Sequence, residues 1–146
     1  MKRERFLKIC GLSCIGIIGM SGIIHSCSTA HYINSTIKEG QLQILKKEFK
    51  IIKDNSISYR NYIIVNVENI KYPIVVYRKN DDKYSAILLK CSHQGAELSV
   101  SGDVLTCSAH GSEFDNNGKV LQGPAESQLT TFKIQIDLQN IYIQLT

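Results

Sequence analysis

Near the end of the chain Phe132, Ile134, Ile136 and Leu138 alternate with Lys133, Gln135 and Asp137, and after Gln139-Asn140 the alternation resumes at Ile141, Ile143 and Leu145. A period of two places these apolar side chains on one face, so the stretch predicts a hairpin with one dry side. Segments rich in Ile, Val and Tyr at roughly 48–53, 62–68, 73–78, 84–90, 103–107, 131–137 and 140–145 predict strands. Asn80-Asp81-Asp82-Lys83 and Ser101-Gly102-Asp103 supply turn chemistry between them. Only Ile37 to Lys50 carries a weak helical pattern, and no repeat is present. The fold class expected is all-β.

The N-terminus is patterned differently. Lys2, Arg3, Arg5 and Lys8 precede an uncharged run of 16 residues from Ile9 to Ile24, which reads as an export leader. The run is short for a bilayer span, and four glycines lower its hydrophobicity, although an uncleaved anchor is the alternative. Ile24-His25-Ser26-Cys27 resembles a bacterial lipobox, which makes Cys27 the lipidation candidate. Arg3-Glu4-Arg5-Phe6-Leu7-Lys8 resembles a degenerate twin-arginine leader, with an ordinary basic n-region as the alternative. The expected organisation is a leader over 1–26, a tether with some local structure over 27–40, and a single domain over 41–146.

The full chain has a formal charge of +4, but residues 27–146 hold 13 basic and 12 acidic side chains, or +1. The basic balance therefore belongs to the leader and gives no argument for nucleic acid as a partner.

Of five cysteines, Cys10 and Cys14 lie in the leader and Cys27 ends it, so only Cys91 and Cys107 remain in the domain. Each stands close before a histidine, in Cys91-Ser92-His93 and Cys107-Ser108-Ala109-His110. Two thiolates with two imidazoles are a metal set, with zinc or an iron-sulfur cluster as candidates. Structural zinc sites usually grip with Cys pairs or His pairs; here each half contributes one of each.

Cys91-Ser-His93-Gln-Gly95, Cys107-Ser-Ala-His110-Gly111-Ser112 and Gly118-Lys-Val120-Leu-Gln-Gly123-Pro124-Ala125 resemble, in order, the two ligand loops and the following segment of the Rieske 2Fe-2S family. The resemblance covers roughly 60–146, with its motifs within about 91–125. It implies stacked antiparallel sheets with an inserted cluster-binding subdomain. It also implies one 2Fe-2S cluster, with Cys91 and Cys107 on one iron and His93 and His110 on the other. Reduction potentials of such mixed-ligand clusters span about −150 to +300 mV.

Gly95, Gly111 and Gly123-Pro124 are read as shaping the loops. Ser112 matches a serine that donates to a bridging sulfide in high-potential members, whereas Phe114 stands where those members place a tyrosine. Ala96 and Ala109 stand where quinol-oxidising members carry a disulfide. These departures imply a potential in the middle or lower part of the range.

The implied function is one-electron transfer on the outer side of a membrane, within or beside an oxidoreductase complex. Its partners would be a redox donor and a redox acceptor, and its attachment a lipid anchor or uncleaved leader. The alternative is a zinc-binding extracytoplasmic interaction lipoprotein. His25 and His31 are read as unconnected with metal, Glu113 and Asp115 as solvated charges, and Tyr59, Tyr62, Tyr72, Tyr77 and Tyr84 as strand residues with one wet end. No catalytic residue is assigned: the sequence shows no phosphate-binding loop, no supported Ser-His-Asp set and no second metal set.

Overall fold

The computed structural model describes residues 30–145. The leader read over 1–26 and the lipidation candidate Cys27 lie outside the described residues.

The described chain runs β1 (Tyr32–Ser35), β2 (Ile37–Lys38), β3 (Gln41–Leu45), a 3-10 turn (Lys46–Phe49), β4 (Lys50–Lys53), β5 (Ser56–Tyr59), β6 (Tyr62–Val67), β7 (Ile74–Asn80) and β8 (Lys83–Leu88). It continues through β9 (Ser99–Ser101), β10 (Val104–Thr106), β11 (Glu113–Asp115), β12 (Val120–Gln122), β13 (Thr131–Ile136) and β14 (Asn140–Gln144). The architecture is all-β.

Eight strands form one curled sheet in the order β1-β6-β7-β8-β13-β14-β3-β2. The curl is centred on β13, whose first residues pair with β8 (Thr131 with Ile87) while Lys133 to Ile136 pair with β14. A second sheet, β12-β11-β10-β9, carries the candidate site, and β4-β5 form a separate hairpin.

The facing parts of β6, β7 and β8, residues 63–65, 74–77 and 86–87, are buried residue after residue because both of their faces are covered. Ile63, Val65, Ile74, Val76 and Ala86 face a core shared with β3 and β14, which contains Leu42, Ile44, Ile141 and Ile143. The alternate residues Ile64, Val75, Tyr77 and Ile87 face a second core under the inserted sheet, with Leu105, Phe114, Cys91 and Cys107. Tyr77 is buried between the layers, and its hydroxyl donates to the Gly102 carbonyl at 3.2 Å. One face of the central strands thus holds the base together, and the other seats the site.

Four expectations change. The tether is ordered where described: Tyr32–Ser35 pair with β6 in parallel, so the sheets are not antiparallel throughout, and Ile37–Lys38 pair with β3. The weak helical pattern over 37–50 resolves into β2, β3 and the 3-10 turn, because Gly40 at φ 74° turns the chain and Leu42 and Ile44 then alternate inward. Leu138 leaves the dry face of the terminal hairpin and is 96% exposed. The Asp137 carboxylate caps the turn there by accepting from the Gln139 and Asn140 backbone N–H groups. Tyr72 precedes β7 instead of lying within a strand.

Candidate metal centre

Two loops of the same backbone design carry the four donor residues. In the first, the Cys91 N–H donates to Ala96 O at 2.8 Å and the Gly95 N–H to Cys91 O at 2.9 Å. In the second, the Cys107 N–H donates to Ser112 O at 2.8 Å and the Gly111 N–H to Cys107 O at 2.9 Å. Each loop returns through a glycine at positive φ, 73° for Gly95 and 79° for Gly111, a conformation that a side chain disfavours. The first loop follows β8 and is closed by the bridge between Lys90 and Glu97; the second joins β10 to β11.

The loops bring all four predicted residues together. Cys91 and Cys107 are buried free thiols in the second core, beside Leu105 and Phe114. His93 and His110 are exposed, with ring centroids 4.9 Å apart and edge to face. Burial pushes the Cys107 thiol up, but the backbone N–H groups of His110 and Ala109 and a hydrogen bond with Cys91 outweigh it and hold it below the ordinary thiol range. Donors aimed at a sulfur favour its thiolate, the form that binds metal. Among the described residues no three His, Cys, Asp or Glu side chains meet at a single metal-ion position. A two-iron cluster asks only two protein ligands of each iron, so this donor set fits such a cluster.

Ser112 is fully buried, and its Oγ accepts the Ala125 backbone N–H at 3.0 Å. A hydroxyl that accepts one bond still has its own proton to give. Pro124 is exposed in the segment after β12, follows a cis peptide bond, and precedes the buried Ala125. Phe114 offers no hydroxyl, and positions 96 and 109 are alanines, so the loops carry no disulfide between them.

The supports of the loops come from Tyr72, outside every motif, and from motif positions to which the sequence assigned no role. The Tyr72 hydroxyl donates to Gly95 O at 2.6 Å, and the Lys71 and Lys90 ammonium groups stand 5.2 and 5.8 Å from its ring centroid. Ser92 Oγ donates to Ser127 O at 2.6 Å, and Gln122 Nε2 to Gly111 O at 3.1 Å. Spacing in the sequence holds no signal for the Tyr72 and Ser92 contacts, which span 23 and 35 residues.

The remaining candidates are structural. Asp115 is half-buried and caps the turn after β11, accepting the Asn117 and Lys119 backbone N–H groups at 2.8 and 2.9 Å. Burial raises its carboxyl, but these bonds outweigh it and hold it below the ordinary range. Glu113 is half-buried in β11, and His31 Nε2 stands 3.2 Å from the Glu48 carboxylate.

The Rieske [2Fe-2S] domain model matches residues 37–133, and the chain belongs to that family. The cofactor is accordingly a 2Fe-2S cluster and the role electron transfer. Among solved structures, the plasma membrane Rieske protein PetC3 from Synechocystis PCC 6803 is 31% identical, with 57% of this chain and 85% of that chain covered and a TM-score of 0.49. A complex of reduced oxygenase and oxidized ferredoxin in carbazole 1,9a-dioxygenase is 26% identical, with 58% and 81% covered and a TM-score of 0.46. No curated protein matches the chain. No helix among the described residues is long and apolar enough to cross a membrane.

Proposed function

We propose that Cys91 and Cys107 hold one iron of the cluster and His93 and His110 the other, and that the protein is a one-electron carrier on the outer side of a membrane. In this reading residues 1–26 are an export leader, Cys27 or the uncleaved leader is the attachment, and the electron passes between two redox proteins. The observation that carries the ligand assignment is the pairing of two identically closed loops, each with one buried thiol and one exposed imidazole.

When bound, the cluster supplies reversible one-electron chemistry. The chain's own residues do the rest. The second core keeps water away from the two thiolates. The exposed imidazoles form the edge at which a partner can come close, and each keeps a ring nitrogen that can hold or release a proton. The Ser112 proton is placed in the loop as a hydrogen-bond donor, and such donors raise a cluster's potential. Phe114, Ala96 and Ala109 withhold a further donor and a loop disulfide, which supports a middle or lower potential and a redox-protein partner over a quinol.

The test is low-temperature electron paramagnetic resonance on the dithionite-reduced full chain, with iron and zinc assayed in the same sample. A rhombic mixed-ligand signal that is lost or altered in both His93→Cys and His110→Cys supports the assignment. An unchanged spectrum removes that histidine from the ligand set. A colourless, silent sample with zinc in place of iron moves the protein to the structural-metal alternative.

A further inference from the structure

Among the described residues the hairpin of β4 and β5 pairs with no other strand. Ile52 and Ile57 are directly opposed across it, yet they are 71% and 57% exposed. The period of two puts Tyr59 and Lys50 on their face. Tyr59 also lines a surface depression with Lys46, Lys47, Lys50, the exposed Leu138 and the Arg78–Asp81 pair, so it links the isoleucine face to a rim in which free basic groups outnumber acidic ones. An isolated two-stranded hairpin is marginal in water, and an apolar patch rimmed by polar groups marks a contact surface.

Charge and position identify the partner. Residues 46–60 carry five basic and two acidic side chains, a net +3, against +1 for all of 27–146. The Arg78 guanidinium stands 4.2 Å from the Tyr59 ring centroid and is paired with Asp81, so it adds no net charge to this count. The chain also enters the domain here. Ala30 and His31 share a second depression with Ile51 and Tyr59, and Ala30 stands three positions after Cys27. That depression is bordered by Val100 and Gly102 at the β9–β10 turn, the end of β10 opposite Cys107. The hairpin therefore lies beside Ala30, where the described chain begins, and away from the exposed imidazoles.

We propose that the β4–β5 hairpin seats on an anionic lipid surface, with Ile52, Ile57 and Tyr59 in the headgroup region and the surrounding lysines on lipid phosphates. Two contacts, the attachment and the hairpin, hold the domain in one orientation with its ligand loops facing away from the bilayer. The orientation rests on the attachment proposed above; the hairpin contact does not.

The chain contains no tryptophan, so Ile57→Trp introduces a single reporter into the full-length protein. It is mixed with vesicles bearing brominated acyl chains, made of phosphatidylcholine with or without phosphatidylglycerol. The expected result is a blue shift and loss of most of the indole emission on the anionic vesicles. The effect should weaken with salt and with Lys47→Glu plus Lys50→Glu, while Leu121→Trp beside the second ligand loop shows no vesicle-dependent change. Emission at position 57 that ignores lipid overturns the proposal. So does a blue shift without vesicles that grows with protein concentration, which would assign the patch to a second copy of the chain. Attachment is scored separately by flotation with and without Cys27→Ser. A chain that floats through Cys27 with an unquenched indole keeps the attachment and loses the hairpin contact; one that floats regardless of Cys27→Ser with a quenched indole does the reverse.

Discussion

The two ligand loops share a backbone and three of their six residues, Cys, Ser and Gly, and differ in the other three. Both are six-residue returns closed by the same pair of hydrogen bonds and turned by a positive-φ glycine in the fifth position. Yet the histidine is third in one loop and fourth in the other, and the sixth residue is Ala96 in the first and Ser112 in the second. The first loop is braced from outside, by Tyr72 on Gly95 and Ser92 on Ser127. The second is braced from within, by Ala125 donating to the buried Ser112, with Gln122 on Gly111 at the surface. The frame is duplicated, while the tuning is confined to one side.

The most damaging way to break this asymmetry is Ser112→Ala, which gives the second loop the sixth residue of the first. The buried Ala125 N–H loses its acceptor, a cost of about 1–3 kcal/mol. If, as proposed, the hydroxyl also donates to the cluster, the potential should fall in a redox titration. A lower melting temperature with an unchanged potential would show that the hydroxyl serves Ala125 alone.

Gly95→Ala and Gly111→Ala test whether the frames are equivalent. Each should cost about 1–2 kcal/mol from the left-handed backbone alone. A Cβ on Gly111 meets open space, whereas one on Gly95 comes within 3.3 Å of Lys90 Cε, the flexible part of a side chain. Denaturant unfolding should therefore show nearly equal losses, with Gly95→Ala slightly larger. A severalfold difference would mean that the loops are not equivalent.

The smallest effect is expected from the braces. Tyr72→Phe removes the donor to Gly95 O at a cost of about 1 kcal/mol, and Gln122→Ala removes a solvent-exposed bond worth less. Comparing rates of iron loss to a chelator should show faster release from Tyr72→Phe than from Gln122→Ala. The opposite order would make the second loop the more dependent on its outer brace.

The fold class and the family were legible because both are written locally. Strand periodicity needs only neighbours, as in Phe132 to Leu145, and the donors lie within each motif. Leu138 shows where that reading stops. It keeps the alternation, but Asp137 starts the turn one residue earlier, and the capping bonds outweigh the pattern. Residues 32–38 carried too little pattern to be recognised, since a short edge strand takes its order from the ladder of a distant partner.

By itself, then, the sequence determined an all-β chain with two Cys-and-His loops and hence its family. It could not show that the central strands serve two cores at once, because a short apolar run such as Ile74–Tyr77 does not say what covers each face. Nor could it show that Tyr72 and Ala125 hold the loops or that Ile52 and Ile57 stand exposed beside the chain's entry. Those contacts are made across the sheets between residues far apart along the chain, so only the tertiary structure decided them.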